Sequence, residues 1–371
     1  MSWLLAAAGA VALFLFVEWI ALGIAMHWGQ QQTLAGAWFR RSLEARRRFR
    51  ATLRRQAMLL SPVLWALRPF ARFDFARTAF RVRGVTGPWG NCTPQSFEAA
   101  LDYRPRPDDV IVATQMKCGT TWMLHLVYQV LLRGRGDLVE TGRALHALVP
   151  WLEGTRTVPV TDAPLIGTER PSRVIKTHLP AGHCPGSAEA KYIYVARHPV
   201  ACFASCVDFV IENAWPYPPT LGQLEAWFTS EEQMWWGTWP GHVQGWWDRA
   251  ASSSNVLFVH FEEMKRDLPA VTRQVATFLG MAPLSAEELG AVVAKCSFGY
   301  MQQHAEAFEM HPPHLRAAEA ELFRKGSADR HLDVPGEVRR RVGAWAAAAQ
   351  RGRSYPLAAN YPDLAEADAA L

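Results

Sequence analysis

The stretch that most constrains this chain is residues 110–122, V-I-V-A-T-Q-M-K-C-G-T-T-W. Val110, Ile111, Val112 and Ala113 form an unbroken run of β-branched and small apolar residues, the pattern of a strand buried on both faces. A short loop with Lys117 and Gly119 follows, and an apolar-periodic helix begins at Thr120 or Thr121 and runs towards Leu132. A buried strand, a tight loop and a helix N-terminus together make an anion site. Backbone N–H groups converge there, the helix dipole favours negative charge, and Lys117 adds a full positive one. The loop is not a Walker A sequence, because no Gly opens it and Lys117 precedes Gly119 by two residues. Taken alone, it reads equally as a strand-to-helix turn with an exposed lysine.

The pattern recurs downstream. Further strands are expected at residues 174–177, 191–196 and 256–261, with helices at 121–132, 201–211, 221–235 and 271–279. Alternating strands and helices imply an α/β fold, a parallel sheet flanked by helices on both faces. Ligands in such sheets bind at the C-terminal ends of strands. The opening loop, His178, Arg197 and the pair His260 and Phe261 all fall at such ends.

Upstream the composition changes. Residues 3–26 carry one charge, Glu18, and as a helix would be about 36 Å long, enough to cross a bilayer. No Lys or Arg occurs in the first twenty-six residues, which argues against a cleaved signal peptide. Residues 38–83 then hold thirteen arginines against Glu44 and Asp74, a local balance of +11 in a chain whose formal net charge is +5. The remainder is therefore acidic, so this is not a basic domain built for nucleic acid. Phe39, Leu43, Phe49, Leu53 and Leu60 recur at helical spacing among the arginines, the pattern of a basic amphipathic helix at an anionic membrane surface. The expected organisation is a membrane-anchor helix at 1–28, a basic juxtamembrane segment and linker at 29–80, a globular domain at 81–345 and a tail at 346–371. The positive-inside rule puts the domain of this single-pass chain in the cytoplasm. Residues 61–90 read as a connecting segment, and the chain after Arg341 as a terminal helix and a loose end. Cys92, Cys118, Cys184, Cys202, Cys206 and Cys296 form no C-x-x-C pair and read as free thiols in a reducing compartment. Cys202 and Cys206, four apart on a helix, read as packing residues.

Four strand-end or loop sites gather positive charge around one histidine. They are Lys117 in the first loop, K-T-H-L-P at 176–180, R-H-P at 197–199 with Ser205 beyond it, and R-K-G at 324–326. The set suits a ligand with two separated phosphates and a proton to be removed. In the same order, these motifs resemble those of the cytosolic sulfotransferases. The first loop resembles T-Y-P-K-S-G-T-T-W, K-T-H-L-P matches unchanged, and Y-V-A-R-H-P at 194–199 resembles Y-V-A-R-N-P. The segments at 237–247 and 261–265, Ser297 with Phe298, and R-K-G complete the series, which covers roughly residues 81–331.

The resemblance implies a P-loop-like sulfotransferase fold, here with an added N-terminal transmembrane helix, and transfer of a sulfonate group from 3′-phosphoadenosine 5′-phosphosulfate (PAPS) to a hydroxyl or amine. It makes His178 the general base, Lys117 the residue stabilising the leaving phosphate, and Lys176 a second catalytic charge. By the same resemblance Lys117, Cys118, Gly119, Thr120 and Thr121 hold the 5′-phosphosulfate. Arg197, Ser205, Arg324, Lys325 and Gly326 hold the 3′-phosphate, and Trp122, Phe261 and Phe298 surround the adenine. No metal is implied. The anchor points to an acceptor drawn from the membrane: a hydrophobic alcohol, phenol, sterol or other lipid. Met116 and Cys118 depart from the family's loop, and Phe261 stands where a tyrosine is usual. The family's short dimerisation motif is not recognisable at 333–338, which leaves the oligomeric state open. His304, His311 and His314 read as loop histidines. The alternatives are a P-loop-type nucleotide kinase and a non-catalytic PAP-binding membrane protein.

Overall fold

The computed structural model describes residues 2–34, 37–69, 73–214, 217–310 and 329–364. Two long helices lead the chain, α1 (Ser2–Leu34) and α2 (Leu43–Leu67). A hairpin of β1 (Ala79–Val82) and β2 (Val85–Pro88) and a capped helix α3 (Pro94–Leu101) follow. The central layer then alternates: β3 (Asp109–Ala113), α4 (Thr120–Leu131), β4 (Arg173–Thr177), β5 (Lys191–Ala196), α5 (Pro199–Asn213), α6 (Leu221–Thr229), α7 (Trp239–Ser252) and β6 (Val256–His260). Helices α8 (Phe261–Arg266), α9 (Leu268–Leu279), α10 (Ala286–Lys295), α11 (Phe298–Gln303), α12 (Gly336–Gln350) and α13 (Leu357–Asn360) complete it.

Strands β3 to β6 form one parallel sheet in the order β4-β3-β5-β6. The apolar run of β3 is fully buried because alternate residues feed two cores. Ile111 and Ala113 join Ile175, Tyr192 and Tyr194 under α5, α6 and α7. Val110 and Val112 join Val174, Ile193 and Val195 under α4 and α9. Burying one such side chain is worth about 1.5–3 kcal/mol, so a strand apolar on both sides is stable only with both faces covered. The entry to the sheet is pinned by a buried ion pair. Asp109 accepts from Arg173 Nε at 2.9 Å and Nη2 at 2.7 Å, from Tyr103 Oη at 2.6 Å and from the Arg106 amide at 2.8 Å. Asp109 and Arg173 are also register partners, so the pair fixes β4 against β3.

The chain leaves β3 towards β4 and leaves β5 towards β6, in opposite directions along the sheet. A crevice therefore opens between the C-terminal ends of β3 and β5, the place where such sheets bind ligands.

Three expectations change. Residues 221–235 are not one helix: α6 stops at Thr229, and the chain turns through Trp236, whose φ is +59°. Packing of the two tryptophans overrides the local helical pattern there. Residues 61–90 are not merely a connector, since α2 runs on to Leu67 and a hairpin begins at Ala79. Residues 355–364 are not loose either: Tyr355, Leu357, Tyr361 and Leu364 are buried in the core, and His260 Nε2 and Tyr355 Oη are 3.1 Å apart.

The first half of α2 docks on the body rather than presenting all its arginines outward. Arg46 is fully buried and donates to the carbonyls of Glu309 at 2.8 Å and Trp38 at 3.1 Å. Burial lowers its pKa to about 9. Arg47 pairs with Glu306 and Arg50 with Glu309.

Candidate active site

The loop between β3 and α4 turns sharply. Lys117 has φ +65° and Gly119 φ +95°. A non-glycine residue held in the left-handed region costs about 1–3 kcal/mol and persists only where its surroundings enforce it. Gly119 is required twice over, by its φ and because a Cβ there would lie 2.7 Å from the Phe261 ring. The turn leaves the first-turn amides of α4 facing the crevice, with Thr120 and Thr121 at the helix start. Arg197, at the end of β5, reaches across the crevice and donates through Nη1 to the Lys117 carbonyl at 3.0 Å. Its guanidinium lies 4.4 Å above the Phe261 ring. Helix α5 starts directly afterwards, capped by the His198 side chain, which accepts from the Val200 and Ala201 amides. That start directs Ser205 into the same space.

The resulting cavity has a volume of about 220 Å³. Its wall includes Lys117, Gly119, Thr120, Thr121, Trp122, Lys176, His178, Arg197, Ser205, Phe261 and Phe298. Residues from β3, β4, β5, β6 and the loops beyond them thus meet at one place. Cys118 does not line it: its thiol is buried behind the loop, 3.6 Å from the Cys202 sulfur. Arg324, Lys325 and Gly326, like His311 and His314, lie outside the described residues.

His178 sits at the end of β4 and is held from both sides. Its Nδ1 is 2.9 Å from the Thr114 carbonyl oxygen, which only accepts, so Nδ1 carries the proton. Nε2 is then the unprotonated nitrogen. The His178 amide donates to Glu153 Oε1 at 2.6 Å, and Thr177 Oγ1 donates to Oε2 at 2.8 Å. Thr114 also places its hydroxyl 2.6 Å from that of Thr120, so one residue ties the histidine to the anion loop. Burial, then the charge of Lys176, pushes the His178 pKa well below its ordinary 6.5, so the ring is neutral at pH 7. Lys176 Nζ lies 3.7 Å from the Trp151 ring centroid, and burial lowers its pKa to about 7 against the opposing pull of Glu153. Burial likewise lowers the Lys117 pKa. Both lysines are poised to gain charge stabilisation from an anion.

A profile of the sulfotransferase domain family matches residues 107–339, well over half the chain. The chain belongs to the sulfotransferase family. Similar proteins include rabbit (Oryctolagus cuniculus) sulfotransferase 1C2, 31% identical over 229 residues, or 59% of this chain and 72% of that protein. Mouse (Mus musculus) sulfotransferase 2B1 is 29% identical over 269 residues, 68% of this chain and 75% of that one. Among solved structures, mouse sulfotransferase SULT7A1 complexed with PAP aligns with TM-score 0.57 and 19% identity over 79% of this chain and 100% of that one. Retinol dehydratase in complex with retinol and PAP aligns with TM-score 0.58 and 19% identity over 76% and 95%. These two show a shared fold.

The sulfotransferase cavity also has a wall that its motifs did not announce. Trp151, Trp236 and Met310 line the side nearest His178 and Lys176, with Trp235 next to Trp236, and the Phe209 ring lies 4.8 Å from Lys117 Nζ. The His178 ring is 4.8 Å from Trp236 and 5.5 Å from Trp151. Gln115 Nε2 donates to the carbonyls of Trp235 at 3.3 Å and Gly237 at 3.0 Å, fixing that turn against the anion loop. Lys265 and Arg330 add positive charge at the rim, Arg330 paired with Asp208 and Asp333. Glu153 lies in unremarkable sequence and Thr114 is an uncharged member of the loop motif, so only their hydrogen bonds reveal what they do. The tandem tryptophans at 235–236 were the one available signal for the apolar wall. Trp122 is held by Nε1 donating to the Cys296 carbonyl at 2.8 Å, and its ring meets Phe261 edge-on at 5.5 Å. Among the described residues, no cluster of three His, Cys, Asp or Glu is placed to hold a metal.

Proposed function

We propose that this sulfotransferase moves a sulfonate group from PAPS to the hydroxyl (or amine) of a hydrophobic acceptor, with His178 as general base. The observation that carries this reading is the Nδ1 contact to the Thr114 carbonyl, which supports a neutral ring with Nε2 free to take a proton at the cavity wall. As the acceptor oxygen bonds to sulfur, its proton goes to Nε2, and the bond from sulfur to the 5′-phosphate oxygen breaks. The products are a sulfate ester and PAP. Negative charge grows on the leaving phosphate, where Lys117 is the stabilising cation, and Lys176 supports the transferring group.

The amides of Cys118, Gly119, Thr120 and Thr121 hold the 5′-phosphate. Only the backbone of Cys118 serves, consistent with its buried thiol. Arg197 and Ser205, with Arg324, Lys325 and Gly326, take the 3′-phosphate. Trp122, Phe261 and Phe298 enclose the adenine. The tryptophan-rich wall beside His178 supports an apolar acceptor, an alcohol, phenol or sterol, and one protein of the same fold, retinol dehydratase, is known in complex with retinol and with androsterone.

We read α1 as the membrane anchor, with the body on the cytoplasmic side. Within Trp3–Gln32 the helix holds an 18-residue window with mean hydropathy 2.2 and no buried residue. Incubating the full chain with labelled PAPS, in parallel with a membrane lipid extract and with small soluble phenols, tests the acceptor class. Label is expected in lipid-extract products; label confined to the soluble phenols contradicts the apolar, membrane-derived acceptor.

A further inference from the structure

The two leading helices pack antiparallel. Trp28 of α1 stacks on Phe49 of α2 at 5.1 Å, and Leu22 and Ala25 are buried against Ala57, Leu60, Val63 and Leu64. Leu15, Glu18, Ala21, Leu22, Ala25 and Trp28 are shielded positions on α1, spaced three and four apart on one stripe. The single acid of α1 is thus turned to α2, and the rest of its outer surface up to Met26 is uncharged.

Helix α2 divides in two. Its first half exposes Arg47, Arg48, Arg54 and Arg55. Residues 56–67 carry no charge, and there the exposed side chains include Met58, Leu59 and Trp65, the last 76% exposed. That apolar face lies on the side of α2 away from the stripe packed on α1, and Arg54, Arg55 and Arg68 bracket it.

Orientation follows from length. Arg68 lies nineteen residues beyond Phe49, about 28 Å along the helix. If the pair stood upright in a bilayer with Trp28 and Phe49 at its surface, Arg68 would sit near the far side of a core about 30 Å thick. The chain would then have to return, with Arg68 and Asp74, to Phe75, which stacks on Trp227 inside the body at 4.8 Å. Laid along the surface, the same pair keeps both arginine brackets at headgroup level, where their stems extend to water.

We propose that the second half of α2 is a lipid-facing element, and that the α1–α2 pair lies in the plane of one leaflet instead of crossing the bilayer. This rests on the membrane reading above and refines it. The occupant of the apolar face is a phospholipid bilayer.

The native cysteines are all buried, so a surface thiol labels selectively. Full-length Val17→Cys, Leu59→Cys, Trp65→Cys and Arg48→Cys, each carrying an environment-sensitive fluorophore, are bound to phosphatidylcholine–phosphatidylserine vesicles. The vesicles bear nitroxide quenchers at shallow or deep positions. Circular dichroism checks that each variant is folded, and positions 59 and 65 back each other up. The proposal predicts strong shallow quenching at 17, 59 and 65, and little at 48. Deep quenching at 17 with none at 59 and 65 means a lone spanning helix and overturns the in-plane pair while sparing the anchor. No quenching at 17 overturns both readings. A blue shift at 59 and 65 without lipid quenching means that another copy covers the face, which also overturns the proposal.

Discussion

At the residue scale, charge at the cavity is set by burial. Lys176 has a pKa of about 7 in the free protein, so it titrates where an assay is run. In the role proposed for it, its charged form binds the anionic donor and its neutral form does not. kcat/KM for PAPS should therefore fall by up to about tenfold per pH unit as pH rises above 7, since this parameter reports the free enzyme. Binding of PAPS at pH 8 without acceptor should also take up close to one proton, read by calorimetry in two buffers of different ionisation enthalpy. A flat profile with no buffer dependence contradicts the assignment. His178 gives the opposite constraint: its folded pKa lies well below the unfolded value of 6.5. Its contribution to stability is complete above that value and declines as pH falls through it. The residues that were legible beforehand are those in motifs: Lys117, Lys176, His178 and Arg197. The roles of Thr114, Gln115 and Glu153 were not, because each acts through hydrogen bonds to partners distant in sequence, and a single polar residue carries no periodicity.

At the element scale, sequence reading worked best where one physical cause acted alone. The apolar runs of β3, β4 and β5 placed those strands within a residue, since a strand covered on both faces must be apolar throughout. It failed where tertiary contacts overrode a local pattern, as where α6 gives way to the Trp235–Trp236 turn. The sheet itself depends on the buried pair at its edge. Asp109→Asn keeps the size but leaves Arg173, 4% exposed, as an uncompensated buried charge. It should destabilise the fold by about 3–5 kcal/mol, measured by denaturant unfolding. A loss below about 1 kcal/mol, the range of surface ion pairs, would show that water reaches Arg173.

At the scale of the whole molecule, a basic, apolar leader is attached to a sulfotransferase body through specific contacts. Arg46, Arg47 and Arg50 reach acceptors at Glu306 and Glu309, just beyond α11 and close in sequence to the cavity residue Met310. The leader was legible as apolar and basic, but its docking was not, because arginine content is the same whether the partner is a lipid phosphate or a glutamate. The same body closes over its own C-terminal residues, whose aromatic anchors Tyr355 and Tyr361 sit among polar neighbours that disguise them in sequence. On the function proposed above, what the assembled molecule is for comes down to one reaction at one histidine. The most direct measurement is transfer from labelled PAPS to an apolar alcohol by wild type and His178→Ala, with PAP affinity measured on both. Transfer should fall at least about a hundredfold in the variant, the low end for a lost general base, while PAP binds with near wild-type affinity. Unchanged transfer, or PAP affinity lost together with transfer, would contradict the account of His178 as the base.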